Sequence, residues 1–287
     1  MIFCKKTTDI RLRDPFVLAE GGIYYLYGTN VEEEGKLRVY KSPDLKNWSD
    51  GTVCFETVEE YGFNALWAPE VHKYNGRYYM FVTTKPNLKH RGTYVLVSDN
   101  AEGPFLLHSE GDLTPEEWEC LDGTLYVDKF GKPYMIFCHE WIQSGNGEIC
   151  FVELSKDLKK SVGEPKLMFK ALDNKYVRET CAGTYSGFVT DGPFIYDAPD
   201  GTMFMTWSSM GEDSIYFVAQ AKSDGGVDGT WHHDLPLVTD SDCGHGMIFK
   251  NFEGQEYLSL HCGNSSGKEY PAFIKIKYEN GIILCEK

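Results

Sequence analysis

The sequence predicts an all-β fold, a five-bladed β-propeller, on three observations. A unit of turn dipeptide, short alternating strand, Gly-containing hairpin and aromatic strand occurs five times. It reads RDPFVLAEGGIYYLYGT from Arg13, WAPEVHKYNGRYYMFVTT from Trp67, LDGTLYVDKFGKPYMIFCHE from Leu121, TDGPFIYDAPDGTMFMTWSS from Thr190 and GHGMIFKNFEGQEYLSLH from Gly244. With Asp14, Ala68, Asp122, Asp191 and His245 as landmarks, the copies are 54, 54, 69 and 54 residues apart, near the period of propeller blades. Helical periodicity is nearly absent; residues 114–118 (TPEEW) form the best candidate, with Thr as cap and Pro in the first turn.

Each copy supplies the first two strands of a blade. The segments that follow, LRVYKS, TYVLVS, EICFVEL, SIYFVAQ and AFIKIKY, are short and rich in β-branched and aromatic residues, as third strands should be. The turns SPDLKNW, SDNAEGPF, LSKDLKKS and KSDGGVDGTW then lead to an outermost strand. One such sheet cannot bury its own apolar face, so neighbours pack side by side until the ring closes. The repeat runs without a linker, which predicts one domain over residues 1–287. The longer fourth step carries an insertion between Lys170 and Val189, either a loop that overhangs the pocket or an ordinary surface excursion, and Glu32-Glu33-Glu34 reads as a solvated loop tip.

Composition narrows the function. With 43 acidic against 28 basic residues the formal net charge is -15, so nucleic acid and anionic membrane are not expected partners. No apolar run approaches the length of a membrane span, and the first residues lack the h-region of a leader. The nine cysteines show no metal-ligand spacing; they are expected to be buried, reduced thiols of a cytoplasmic protein.

A propeller gathers the starts of its inner strands around one end of a central channel. The openers here are Asp14, the segment from Trp67 to Glu70, Asp122, Asp191 and His245. Singly, an Asp before Pro or Gly is ordinary turn chemistry. Three at the same place in three blades repel one another and raise one another's pKa, a cost that implies a use. Paired carboxylates on opposite sides of a channel suit inverting glycoside hydrolysis, one activating water and the other protonating the leaving oxygen.

Arg-Asp-Pro, WAPEV, LDGTLYVDKFGKPYMIF, TDGPFIY and GHGMIF, in this order and over essentially the whole chain, resemble glycoside hydrolase family 43. The resemblance implies a five-bladed propeller that hydrolyses arabinofuranosyl or xylosyl oligosaccharides or polysaccharides. It implies Asp14 as general base, Asp122 as the carboxylate that orients the acid and tunes its pKa, and Asp191 at the position of the acid. The family carries Glu before Gly-Pro; Asp191 is one methylene shorter, and a misplacement of ~1 Å can cost a hundredfold in rate. Glu140, at the end of the hairpin that Asp122 begins, is therefore the rival acid, and Glu70 a weaker one. Trp67 is expected as a sugar platform, with Trp141, Glu70, Arg13 and His245 also at the substrate; Trp207 is a lesser candidate. No cofactor is required; the resemblance allows a calcium ion at the channel axis, held by His245 through water. The competing readings are a non-hydrolytic glycan-binding propeller and a propeller glycosidase of other specificity, such as a galactosidase. Oligomeric state has no signature in the sequence.

Overall fold

The computed structural model describes residues 3–87 and 89–286. Five four-stranded antiparallel sheets each run as a meander in chain order. Their first strands, Leu12–Glu20, Phe63–Tyr74, Cys120–Val127, Asp191–Asp197 and Cys243–Lys250, pack against one another around the axis. Turn chemistry explains the hairpins. Glu20 pairs with Ile23 across Gly21-Gly22, and Tyr74 with Arg77 across Asn75-Gly76. All four turn residues have positive φ, as two-residue hairpins twisted with their strands require.

Apolar side chains from adjacent sheets fill the space between blades, with Trp48, Trp207, Tyr27, Phe81, Phe137 and Phe204 fully buried. Trp207 is thus core and does not reach a sugar. The fifth blade closes directly on the first without exchanging a strand: the Ser259 hydroxyl donates to the Pro15 carbonyl at 2.7 Å, and Arg13 Nη1 to Glu269 Oε1 at 3.0 Å.

Three expectations are corrected. Residues 114–118 form a turn closed by Trp118 N–H to the Pro115 carbonyl, and the short α-helix is instead Trp141–Ser144, directly after Glu140. The cysteines are not all reduced: Cys243 and Cys262, opposite one another on adjacent strands, form a disulfide. The insertion is more ordered than a plain loop, since Thr180–Ala182 pairs with Tyr185–Gly187. Among the described residues no helix is long and apolar enough to cross a membrane.

Candidate active site

All five inner strands break register at the same place. The residues left out of the ladder are Asp14-Pro15, Ala68-Pro69, Asp122-Gly123, Gly192-Pro193 and His245-Gly246. The first of each pair has positive φ: 51, 44, 58, 50 and 57° respectively. A bulge of this kind re-aims a side chain out of the sheet's alternation. For a non-glycine residue it also stores roughly 1–3 kcal/mol of backbone strain, which collects at functional sites.

The freed N–H groups are used to join blades. Ala68, Asp122 and His245 donate to the hydroxyls of Thr29, Thr83 and Ser208 on the preceding blade, at 2.7, 2.8 and 2.8 Å. Asp14 donates to His261 Nδ1 at 3.1 Å. The position equivalent to these acceptors in the third blade is Cys138, a weak acceptor, and Gly192 N–H donates instead to Asp122 Oδ2 at 2.9 Å. Asp122 therefore joins the third and fourth blades with its own carboxylate. The register also corrects one landmark: Gly192 is the equivalent of Asp14 and Asp122, whereas Asp191 stands where the other blades have Arg13, Trp67, Leu121 and Gly244.

A cavity of about 530 Å³ opens over this ring. Its lining includes Arg13, Asp14, Trp67, Asp122, Glu140, Asp191 and His245 from the sequence expectation, together with Thr29, Arg91 and Tyr216. An adjoining cavity of about 290 Å³ shares Asn30, Val31 and Trp67 with it, so the two form one cleft passing Trp67. Trp67 is 36% exposed. Glu70 and Trp141 lie outside the lining. Glu70 is buried beneath Asp122, accepting from Thr124 Oγ1 and meeting His72 Nε2 at 3.0 Å. Trp141 is buried against Gly187 of the insertion, whose missing Cβ makes room for its ring.

The carboxyl groups sit in different electrostatic settings. Burial works to raise Asp14, but His245 Nδ1 at 3.2 Å from its Oδ1, nearby Arg13 and the Thr29 hydroxyl at 2.6 Å from Oδ2 overcome it and hold Asp14 below its usual range. His261 adds no charge near neutral pH: burial pushes it down to about 4, and its Nδ1 accepts the Asp14 N–H. His245 is the reverse case. Burial disfavours its cation, but Asp14, Asp122 and Asp191 around it raise its pKa. It lies between Asp14 and Asp122, whose Oδ2 is 3.8 Å from Nδ1, so that both carboxyl groups favour its cation.

Asp122 and Asp191 are both raised, first by burial; Asp14 adds to this at Asp122, and Asp122 at Asp191. The Tyr216 hydroxyl donates to Asp191 Oδ2 at 3.1 Å. Tyr216 reaches that position because residue 244 is glycine: a Cβ there would lie 2.1 Å from the Tyr216 ring. Glu140 is pushed up to about 7 by burial and by Asp191, against the pull of Arg91, with which it forms an ion pair. One cavity thus holds Asp14, lowered below its usual range, together with Asp191 and Glu140, raised toward neutrality, the division that acid and base roles require.

A calcium ion at the channel axis, as the resemblance allows, would be held by His245 through water; among the described residues no three His, Cys, Asp or Glu side chains converge as direct ligands, so most of the roughly six to eight oxygens calcium takes would come from water.

The model for Glycosyl hydrolases family 43 matches residues 7–275. The chain belongs to glycoside hydrolase family 43. It is 39% identical to an endo-arabinase from Bacteroides thetaiotaomicron of solved structure, with TM-score 0.93, over 98% of this chain and 99% of that one. It is 31% identical over 164 residues to an extracellular endo-α-(1→5)-L-arabinanase of Bacillus subtilis, covering 53% of this chain and 49% of the relative. It is 24% identical to a xylan 1,3-β-xylosidase of a Vibrio species, over 94% of this chain and 51% of the relative. The chain spans about half the length of these two curated relatives.

Tyr216, Thr29 and Arg91 were missed by sequence reasoning. Thr29 had a signal, since the hydroxyl that ends the aromatic strand recurs in YGTN, FVTTK and TWSSM. Tyr216 and Arg91 come from third strands or their approaches, which carry no opener motif.

Gly192 gives a direct test of the ring. A Cβ there would lie 2.9 Å from the His245 ring, in a backbone conformation that favours glycine. Gly192→Ala should displace His245 from Asp14 and lower kcat on the order of a hundredfold, as for a ~1 Å misplacement, and destabilise the fold by about 1 kcal/mol or more. Steady-state kinetics and thermal melts check both; unchanged kcat would show that His245 does not depend on this gap.

Proposed function

We propose that this protein is an inverting, endo-acting arabinanase on α-1,5-linked arabinan. The observation that carries the reaction is the placement of Asp14 and Asp191 on one cavity in opposite electrostatic settings, Asp14 lowered by His245, Arg13 and Thr29 against its burial and Asp191 raised by burial and by Asp122. Asp14 takes a proton from water as the water oxygen bonds to the anomeric carbon. The glycosidic C–O bond breaks, and the leaving oxygen takes the proton of Asp191. Water and leaving group lie on opposite sides of the sugar, so the configuration inverts. Tyr216 holds Asp191 by one oxygen. The buried Asp122 charge opposes ionisation of Asp191, the effect expected of a pKa-tuning neighbour.

The substrate class rests on the near-full-length likeness to an endo-arabinase. Continuation of the catalytic cavity past Trp67 supports a polymer over a single terminal sugar. As to where it acts, the Cys243–Cys262 bond favours an oxidising compartment.

A second reading makes Glu140 the proton donor. It is favoured by the longer side chain on the same cavity wall and a pKa of about 7; against it, the ion pair with Arg91 favours its ionised form. The substrate assignment is tested by incubation with linear arabinan, xylan and a panel of p-nitrophenyl glycosides. Release of mixed arabino-oligosaccharides from arabinan is expected. Turnover of xylan or galactosides with none of arabinan would move the specificity, and no turnover on any would favour a glycan-binding module.

A further inference from the structure

One guanidinium joins the Trp67 ring to the Glu140 carboxyl. Arg91 Cζ lies 5.0 Å from the centroid of the Trp67 ring. Arg91 Nε and its backbone N–H each donate to Glu119 Oε2 at 3.1 Å, and Nη2 forms the ion pair with Glu140 Oε2. Glu140 N–H in turn donates to the Glu119 carbonyl at 2.8 Å, so both carboxylates belong to one frame. The Arg91 side chain is 13% exposed, too buried to be an ordinary surface cation. Trp67 comes from the inner strand of the second blade, whereas Glu119 and Glu140 bracket the start and end of the first hairpin of the third. The contact therefore bridges two blades at the cavity wall.

An arginine suits this position and a lysine does not. Its planar fork stacks on an aromatic face while donating sideways to carboxylates, whereas an ammonium is a point charge without a face. Covering part of the indole from the protein side leaves the exposed part of Trp67 to the cleft.

We propose that Arg91 is a positioning residue that holds the Trp67 platform and the Glu140 carboxyl in fixed relation, so that a sugar stacked on the ring is presented to the carboxyl wall. The inference rests on the arabinanase reading and deepens it by naming what aligns the substrate.

The test is a double-mutant cycle in binding, read by calorimetry with a linear α-1,5-arabino-oligosaccharide in an Asp14→Ala background, which needs no turnover. Arg91→Lys and Trp67→Ala are each expected to weaken Kd about tenfold. Together they should also weaken it about tenfold, because the arginine acts through the ring. A hundredfold loss in the double variant would overturn the proposal, since it would mean independent contributions. Arg91→Lys keeps the buried positive charge, and thermal melts verify its fold; Arg91→Met with Glu119→Gln removes the cation without stranding Glu119 and should show the same non-additivity with Trp67→Ala. Absence of binding by the Asp14→Ala parent would sink the arabinan reading and this inference together, whereas binding with additive losses sinks the inference alone.

Discussion

Replacing Asp14 by alanine is expected to lower kcat on arabinan by about 10²–10⁴-fold, the range for loss of a general base, while leaving oligosaccharide binding nearly intact. The expectation follows from the site's charge balance. Asp14 is the carboxylate held below its usual range, because His245, Arg13 and Thr29 outweigh its burial. Its removal takes away the group that accepts the water's proton, while Trp67 and the rest of the cavity lining remain. Kinetics paired with calorimetry on the same variant check this. A variant that binds and still turns over at more than a tenth of the wild-type rate would remove Asp14 from the mechanism.

Asp191→Asn and Glu140→Gln are expected to separate by leaving group. Loss of the true donor should cost ~10²–10⁴-fold on arabinan, whose leaving alkoxide needs a proton, and far less on p-nitrophenyl arabinofuranoside, whose phenolate does not. The account expects this pattern for Asp191→Asn, with a smaller and more even loss for Glu140→Gln. The pH dependence has a definite sign. The base must be ionised, and Asp14 is lowered, so activity persists well into acid. The donor must be protonated, and Asp191 is raised, so kcat/KM falls as pH rises through a value well above the ordinary carboxylate range. Asp191→Asn should abolish that alkaline fall on the activated substrate. If Glu140→Gln shows the leaving-group dependence instead, the donor is Glu140, and the second reading replaces the first.

The architecture was legible because its determinants are local. Gly21-Gly22 and Asn75-Gly76 encode hairpins, and alternation in VLAEGG and FVTT places faces without reference to distant residues. The convergence of Asp14, Asp122 and His245 was legible for the same reason: each stands at one place in a repeat, and the ring carries that place to the axis. Asp191 was found but its register was shifted by one, because the turn dipeptide was aligned on Asp, while the left-handed bulge residue is Gly192. What stayed hidden depends on contacts between blades. Tyr216 reaches Asp191 only because Gly244 of the next blade leaves room, and Arg91 meets Glu140 only once the second and third sheets pack. Trp141 was misplaced because an aromatic residue beside a candidate acid looks alike in sequence whether it faces a cavity or is buried against the Gly187 backbone. The Cys243–Cys262 bond likewise needed the pairing register of two strands.

The central claim is that a water activated by Asp14 attacks from the side opposite the donor's leaving oxygen. Proton NMR of the first minutes of arabinan hydrolysis, before mutarotation, reads this directly. The newly formed reducing ends should appear as the β anomer, opposite in configuration to the α linkages cleaved. Initial appearance of the α anomer would mean retention and a covalent intermediate, and would contradict it.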